Sequence, residues 1–318
     1  MKLLLAAREG EAHFHLIDEL PIPDLDVRRA ASADEVLASI GDVEVLYGFP
    51  TAEVVAAAPA LRWVQSPSAG VEYVARIPTL VDSPILVTNT RGAHGPSISE
   101  HVFAMLLNFT RGLPSAIDWQ RRRHWGRQEG YRALREIKGA TMGIVGFGAI
   151  GRAVAQRALA FEMDVLALDA QAVDGSPFVD EVWPPSRLPE LLARAEVVVV
   201  AAPLTAETHH LLDAAVLGTM RPDAYLIVVS RGGIVDEDAL AAALGAGKLA
   251  GAALDVTERE PLPPESPLWD LPNLLITPHL AGASDAKERR CVEIFRDNVI
   301  RYVNGDPLLN LVDKRLGY

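Results

Sequence analysis

Short apolar runs alternating with stretches of helical periodicity organise the first ninety residues of the chain. The runs at 2–6, 25–29, 43–46, 62–65 and 85–88 have strand length, and 33–40, 52–57 and 71–77 between them can supply helices. Strands that alternate with helices pair in parallel through helical crossovers, which predicts an open α/β sheet. Residues 97–111 read as a helix that is apolar on most of its surface, through Ile98, Val102, Phe103, Met105, Leu106, Leu107 and Phe109. Such a helix is buried on more than one side, and a partner subunit could provide one of them. The stretch 113–138 is polar and arginine-rich, carries Trp119, Trp125 and Tyr131, and reads as an extended arm rather than a core element.

A second alternation follows, with strands expected at 141–145, 164–168, 196–201, 225–229, 251–255 and 274–277 and helices near 151–160, 188–194 and 236–246. This is a complete doubly wound domain. Residues 285–304 have the length of one long helix, and too little chain follows for a third domain. The simplest packing returns that helix to the first sheet. The expected division is therefore a discontinuous domain, 1–93 with 285–318, and an inserted domain, 94–284, that includes the helix and arm at 97–138. Two domains also suit a length of 318 residues, beyond the size at which single cores stop growing.

Charge narrows the partners. A formal net charge of -12 argues against general affinity for nucleic acid or anionic membrane, so a small anionic substrate must meet a local positive site. The run Arg121-Arg122-Arg123-His124-Trp125-Gly126-Arg127 mixes basic and aromatic residues, but its place on the arm favours a subunit contact. The apolar start Met1-Lys2-Leu3-Leu4-Leu5-Ala6-Ala7 stops at Arg8-Glu9, short of a signal-peptide core, and reads as a buried strand. The single cysteine, Cys291, cannot form an internal disulfide and suits a reducing compartment, so a cytoplasmic location is expected.

The hexamer Gly146-Phe147-Gly148-Ala149-Ile150-Gly151 matches G-x-G-x-x-G. Its context makes it specific: it follows a buried strand, opens a helix and lies 18 residues before Asp169 at the end of the next strand. The glycines permit a tight turn, backbone approach to a pyrophosphate and close helix packing, and the helix N-terminus offers free N–H groups. Asp169 is placed to accept hydrogen bonds from an adenosine ribose and to repel the extra phosphate of NADP, and no arginine follows in Ala170-Gln171-Ala172. The expected cofactor is NAD(H).

Ligands of an open α/β sheet bind beyond the carboxyl ends of its strands, and three charged or titratable residues are expected there: Arg231, Glu260 and His279. Reduction of a 2-oxo acid needs a proton donor for the carbonyl oxygen, a cation for the carboxylate and a hydride source. His279 as imidazolium meets the first need, Glu260 would orient that ring and favour its charged form, and the planar fork of Arg231 meets the second. Asp255 could also simply cap a turn. The adjacent His209 and His210 lack the other ligands of a metal site, so no metal is expected. His94 could reach the substrate cleft, but for it and for His101 a structural role is the expectation.

Several motifs in order carry a resemblance over almost the whole chain: Ser68-Ala69-Gly70-Val71-Glu72, the glycine hexamer, Pro203-Leu204-Thr205 with Thr208, Ser230-Arg231-Gly232-Gly233-Ile234-Val235-Asp236, Asp255 through Glu260-Pro261-Leu262, and Thr277-Pro278-His279-Leu280. The sequence resembles the D-isomer-specific 2-hydroxyacid dehydrogenases. The resemblance implies a Rossmann NAD-binding domain inserted in a flavodoxin-like substrate domain, a cleft that closes on the substrate, and a homodimer built on 97–138. It makes Arg231, Glu260 and His279 the catalytic residues and Asp255 the holder of the nicotinamide carboxamide. Gly146, Gly148, Ala149, Ile150, Gly151, Asp169, Pro203, Thr208 and Ser230 complete the cofactor site. Ser68, Ala69 and Gly70, with Arg231, would bind the carboxylate of a small 2-hydroxy or 2-oxo acid. Thr257 and Arg259 stand where many relatives carry Phe and Pro. The alternative use of the same fold is an NAD(H)-sensing interaction module.

Overall fold

The computed structural model describes residues 1–6, 8, 10–71, 73–131, 134–171 and 176–315. Glu72, Ala172 and arm residues 132–133 lie outside them. The contacts divide the chain into two compact units, Met1–His94 with Ser284–Tyr318, and Gly95–Ala283.

The first unit holds β1 (Lys2–Leu5), β2 (Asp26–Arg29), β3 (Val45–Tyr47), β4 (Trp63–Gln65) and β5 (Leu86–Thr88), all parallel in the order β2-β1-β3-β4-β5. That is the flavodoxin-like order. Successive side chains leave a strand on opposite faces, and here both faces are covered. Leu3, Leu5, Val45 and Trp63 meet Val292, Phe295 and Val299 of the last helix, Lys287–Asn304, while Leu4, Leu46 and Val64 meet Val36, Val54 and Leu80. Burial on both sides is why β1 and β3 are nearly continuous apolar runs, whereas the edge strand β2, Asp26–Arg29, buries no residue and carries charges.

The second unit holds β6 (Thr141–Val145), β7 (Asp164–Leu168), β8 (Val182–Trp183), β9 (Val197–Val200), β10 (Tyr225–Val228), β11 (Gly251–Leu254) and β12 (Leu274–Ile276). The order β12-β11-β10-β9-β6-β7-β8 is again wholly parallel. Chain order reverses between β6 and β9, so the sheet has a switch point at the carboxyl end of β6, the place where doubly wound sheets bind ligands. Val197, Val198, Val199 and Val200 are all buried, as a central strand requires.

Three local expectations change. The two residues of β8 are too few to give a periodic signal. The region 71–77 is a short turn of 3-10 helix, Val74–Arg76, and the α-helix begins only at Pro78–Val81, where proline suits the first helical position. The arm is not extended: Leu113–Arg121 and Arg127–Tyr131 are helices. Arginine, glutamine and alanine favour helix intrinsically, but Leu113–Arg121 buries none of its residues, so no apolar stripe announced it. Among the described residues no helix is long and apolar enough to cross a membrane.

Candidate active site

At the switch point two of the three motif glycines, Gly146 and Gly151, are sterically required. Gly146 has φ 96°, and a Cβ there would stand 2.5 Å from the backbone nitrogen of Ala202. At Gly151 a Cβ would lie 2.2 Å from the Gly146 carbonyl oxygen. Gly148 differs: nothing lies within 4 Å of its Cβ position, which leaves open space at the N-terminus of the helix Ala149–Ala160. Asp169, just after β7, accepts from the N–H of Phe147 at 2.7 Å and of Gln171 at 2.9 Å, one at each oxygen. Those bonds tie its charge to the glycine turn while leaving each oxygen further acceptor capacity.

The next strand ends add to this edge. After β9, the Thr208 hydroxyl donates to the Pro203 carbonyl at 2.7 Å and accepts from the Thr205 N–H at 2.7 Å, so its bonding closes the loop 203–208 on itself. After β10, Ser230 is buried, and its hydroxyl has no partner among the described residues. A buried polar atom without a partner is costly, and a polar group of a bound ligand would satisfy it. Open space over Gly148, the backbone amides of a helix N-terminus, a carboxylate after the second strand and the Ser230 hydroxyl together fit a dinucleotide.

The strands β10, β11 and β12 are neighbours, and their carboxyl ends deliver Arg231, the loop 255–260 and His279 side by side. Arg231 Nη1 donates to the Ser230 carbonyl at 2.8 Å. The next residue, Gly232, lies so close to that loop that a Cβ would sit 1.9 Å from the Thr257 carbonyl oxygen. Glu260 is held from both sides: Oε1 accepts from the Thr257 N–H at 3.2 Å, and Oε2 is 2.8 Å from His279 Nδ1. The Thr257 hydroxyl donates to the Arg259 carbonyl at 3.0 Å, so this residue stiffens the loop by hydrogen bonding. His279 and Glu260 keep 49% and 40% of their side chains exposed, which leaves the imidazole accessible.

Asp255 occupies a different environment. Its side chain is 1% exposed and accepts from the N–H of Leu280 at 2.8 Å, the N–H of Ala281 at 2.9 Å and the hydroxyl of Thr277 at 2.5 Å. Leaving a buried acceptor short of a donor costs about 1–3 kcal/mol, and more for a charged group. The turn 277–281 that presents His279 is thus wrapped around one carboxylate. His101, on the helix Gly95–Thr110, places Nε2 2.9 Å from the Thr277 hydroxyl. A histidine among the apolar residues Ile98, Val102 and Met105 was the signal available in the sequence, though not which strand end it met. His209 and His210 stack at 4.1 Å on a turn rather than a helix, and His210 pairs with Glu258 of the same loop that carries Glu260.

Ser68, Ala69 and Gly70 lie in the first unit, after β4. The Ala69 carbonyl accepts from Asn89 Nδ2 at 2.9 Å, the Ser68 carbonyl from the Thr90 N–H at 3.3 Å, and the Ser68 N–H donates to Ser66 Oγ at 3.2 Å. The loop is fixed through these groups, while among the described residues the N–H groups of Ala69 and Gly70 find no acceptor.

A glycine turn at the switch point of a parallel sheet, followed along the same edge by an arginine and a histidine–glutamate pair, defines a nicotinamide-dependent dehydrogenase. Residues 103–281 match the model of the D-isomer specific 2-hydroxyacid dehydrogenase NAD binding domain. The chain is 35% identical over 298 residues to a glyoxylate reductase of Thermofilum pendens, covering 90% of this chain and 86% of that protein. A family protein from Aeromonas salmonicida superposes with TM-score 0.87 at 35% identity, over 98% of this chain and 99% of that one. A second, from Xanthobacter autotrophicus in complex with NADPH and MES, gives 0.83 at 30% identity, over 100% and 99%. The chain belongs to the D-isomer-specific 2-hydroxyacid dehydrogenase family. It is an oxidoreductase that transfers a hydride between a nicotinamide cofactor and C2 of a small 2-hydroxy or 2-oxo acid.

Proposed function

We propose that the chain works as an NADH-dependent 2-oxo acid reductase in which His279 transfers the proton, Glu260 orients it and Arg231 binds the substrate carboxylate and carbonyl. The 2.8 Å approach of His279 Nδ1 to Glu260 Oε2 carries this reading. An ionised carboxylate only accepts, so Nδ1 holds its hydrogen toward Glu260 and Nε2 is left for the substrate oxygen. In reduction the Nε2 proton of the imidazolium goes to the oxygen of C2; in oxidation neutral Nε2 takes that proton back. When bound, the nicotinamide supplies or receives the hydride at C2. The N–H groups of Ala69 and Gly70, which find no acceptor among the described residues, and the Arg231 fork are both assigned to the substrate carboxylate.

Glyoxylate and hydroxypyruvate head the substrate list, because relatives carry those names. Phe49 is 47% exposed and packs edge-on against Tyr73 at 5.7 Å, an apolar wall that admits larger 2-oxo acids. Asp169 favours NAD over NADP by repelling the added phosphate. We assign the exposed helix Leu113–Arg121 and its surroundings within 97–138 to a homodimer interface, and the enzyme to the cytoplasm, where its single buried cysteine stays reduced. The test follows NADH and NADPH absorbance in parallel over a panel of 2-oxo acids at neutral pH. Turnover of at least one acid, with kcat/KM higher for NADH, is expected; no turnover on any acid would overturn the reductase reading, and equal kcat/KM for the two cofactors the preference.

A further inference from the structure

The clamp around Asp255 has a proton arrangement that its partners determine. Leu280 and Ala281 donate backbone N–H groups to its two oxygens, and the Thr277 hydroxyl lies 2.5 Å from Oδ1. A carboxylate has no hydrogen to give, so the hydroxyl must donate its single proton to Asp255. His101 Nε2 is 2.9 Å from the same hydroxyl oxygen, which then has only lone pairs to offer. Nε2 must therefore carry a hydrogen. The ring is 23% exposed, on a helix whose neighbouring Ile98, Val102 and Met105 are buried, and Nε2 also lies 3.6 Å from Asp255 Oδ1.

This chain of bonds ends at His279. That residue has φ 54°, and its N–H reaches the Asp255 carbonyl at 2.8 Å and the Thr277 carbonyl at 3.0 Å. The segment is pinned on one side of His279 by the Thr277 hydroxyl and on the other by the amides of Leu280 and Ala281, all on one buried carboxylate. Loss of the hydroxyl frees the first side only, letting the imidazole drift from Glu260.

We propose that His101 and Thr277 are positioning residues that act through Asp255 to hold His279 in register for proton transfer; this rests on the reading of His279 as the proton-transfer group. Thr277 suits a test because valine keeps its shape and serine its hydroxyl. The full chain is assayed with NADH and the best 2-oxo acid of the panel as T277V, T277S, H101Q, T277V/H101Q and H279N. T277V and H101Q each lower kcat by about ten- to a hundredfold, a misplacement effect, with oxo-acid KM and the NADH Kd from fluorescence quenching within about twofold. T277S recovers to within about threefold of wild type, and the double variant loses no more than T277V because both changes cut one path. Long-range proton–nitrogen spectra place the His101 hydrogen on Nε2 in the wild type and release it to both tautomers in T277V. Wild-type kcat in T277V and H101Q, or a T277S variant as impaired as T277V, overturns the proposal while an inactive H279N leaves the role of His279 standing. An active H279N removes both. Should T277V not fold, the partly exposed H101Q substitution decides alone.

Discussion

His279 holds a left-handed backbone conformation that non-glycine residues seldom adopt, although histidine and asparagine tolerate it better than most. Two hydrogen bonds from its N–H and the Asp255 clamp offset that cost. The chemistry of the residue was legible in Thr277-Pro278-His279 after a strand; its unusual φ and the clamp were not, because the partners come from positions 101 and 255. His210 is a related case with a different consequence. It too has a positive φ, and its pairing with Glu258, reinforced by Asp236, holds its pKa above the ordinary histidine value. A raised folded-state pKa contributes stability that is complete below the unfolded value and is lost as pH rises through the folded one. The Tm difference between wild type and H210N should therefore be largest near about pH 6 and shrink toward about pH 9. A gap that ignores pH would mean that the charge of His210 contributes nothing.

At the scale of elements, three loops after neighbouring strands behave as one block. The segment 210–212 runs beside 233–236 through the His210 N–H to the Gly233 carbonyl at 2.7 Å and a parallel bridge between Leu212 and Val235. Glu258 N–H donates to Glu237 at 2.6 Å, and Gly232 touches the Thr257 backbone. Glycine at 232 is required by this approach rather than by φ. G232A should cut kcat/KM for the oxo acid by at least about a hundredfold while NADH still binds, since a Cβ 1.9 Å from a carbonyl forces Arg231 and Glu260 apart. Near wild-type kinetics in that variant would show that the block yields easily. Most strands were readable because burial on both faces makes them continuous apolar runs. The two-residue β8 and the exposed arm helices were not, since neither presents a buried face of sufficient length.

For the whole molecule, the helix Leu113–Arg121 with Leu113 and Ile117 about half exposed, followed by Trp125 at 89% exposure, is a surface that water suits poorly. Light scattering should report a dimer for the wild type and a monomer for I117E/W125E, with NADH binding retained. A monomeric wild type, or a dimer indifferent to those changes, would place the contact elsewhere or nowhere. The sequence by itself determined the class of fold, the glycine turn after β6 and the placement of Arg231, Glu260 and His279 beyond strand ends, because glycine sterics, strand burial and strand-end placement are local properties written in consecutive residues. Only the tertiary structure decided that Asp255 anchors the histidine turn, that His101 reaches Thr277, and that His210 meets Glu258. Those contacts join residues 22 to 176 positions apart, and parallel strands meet through crossovers whose register no local pattern encodes.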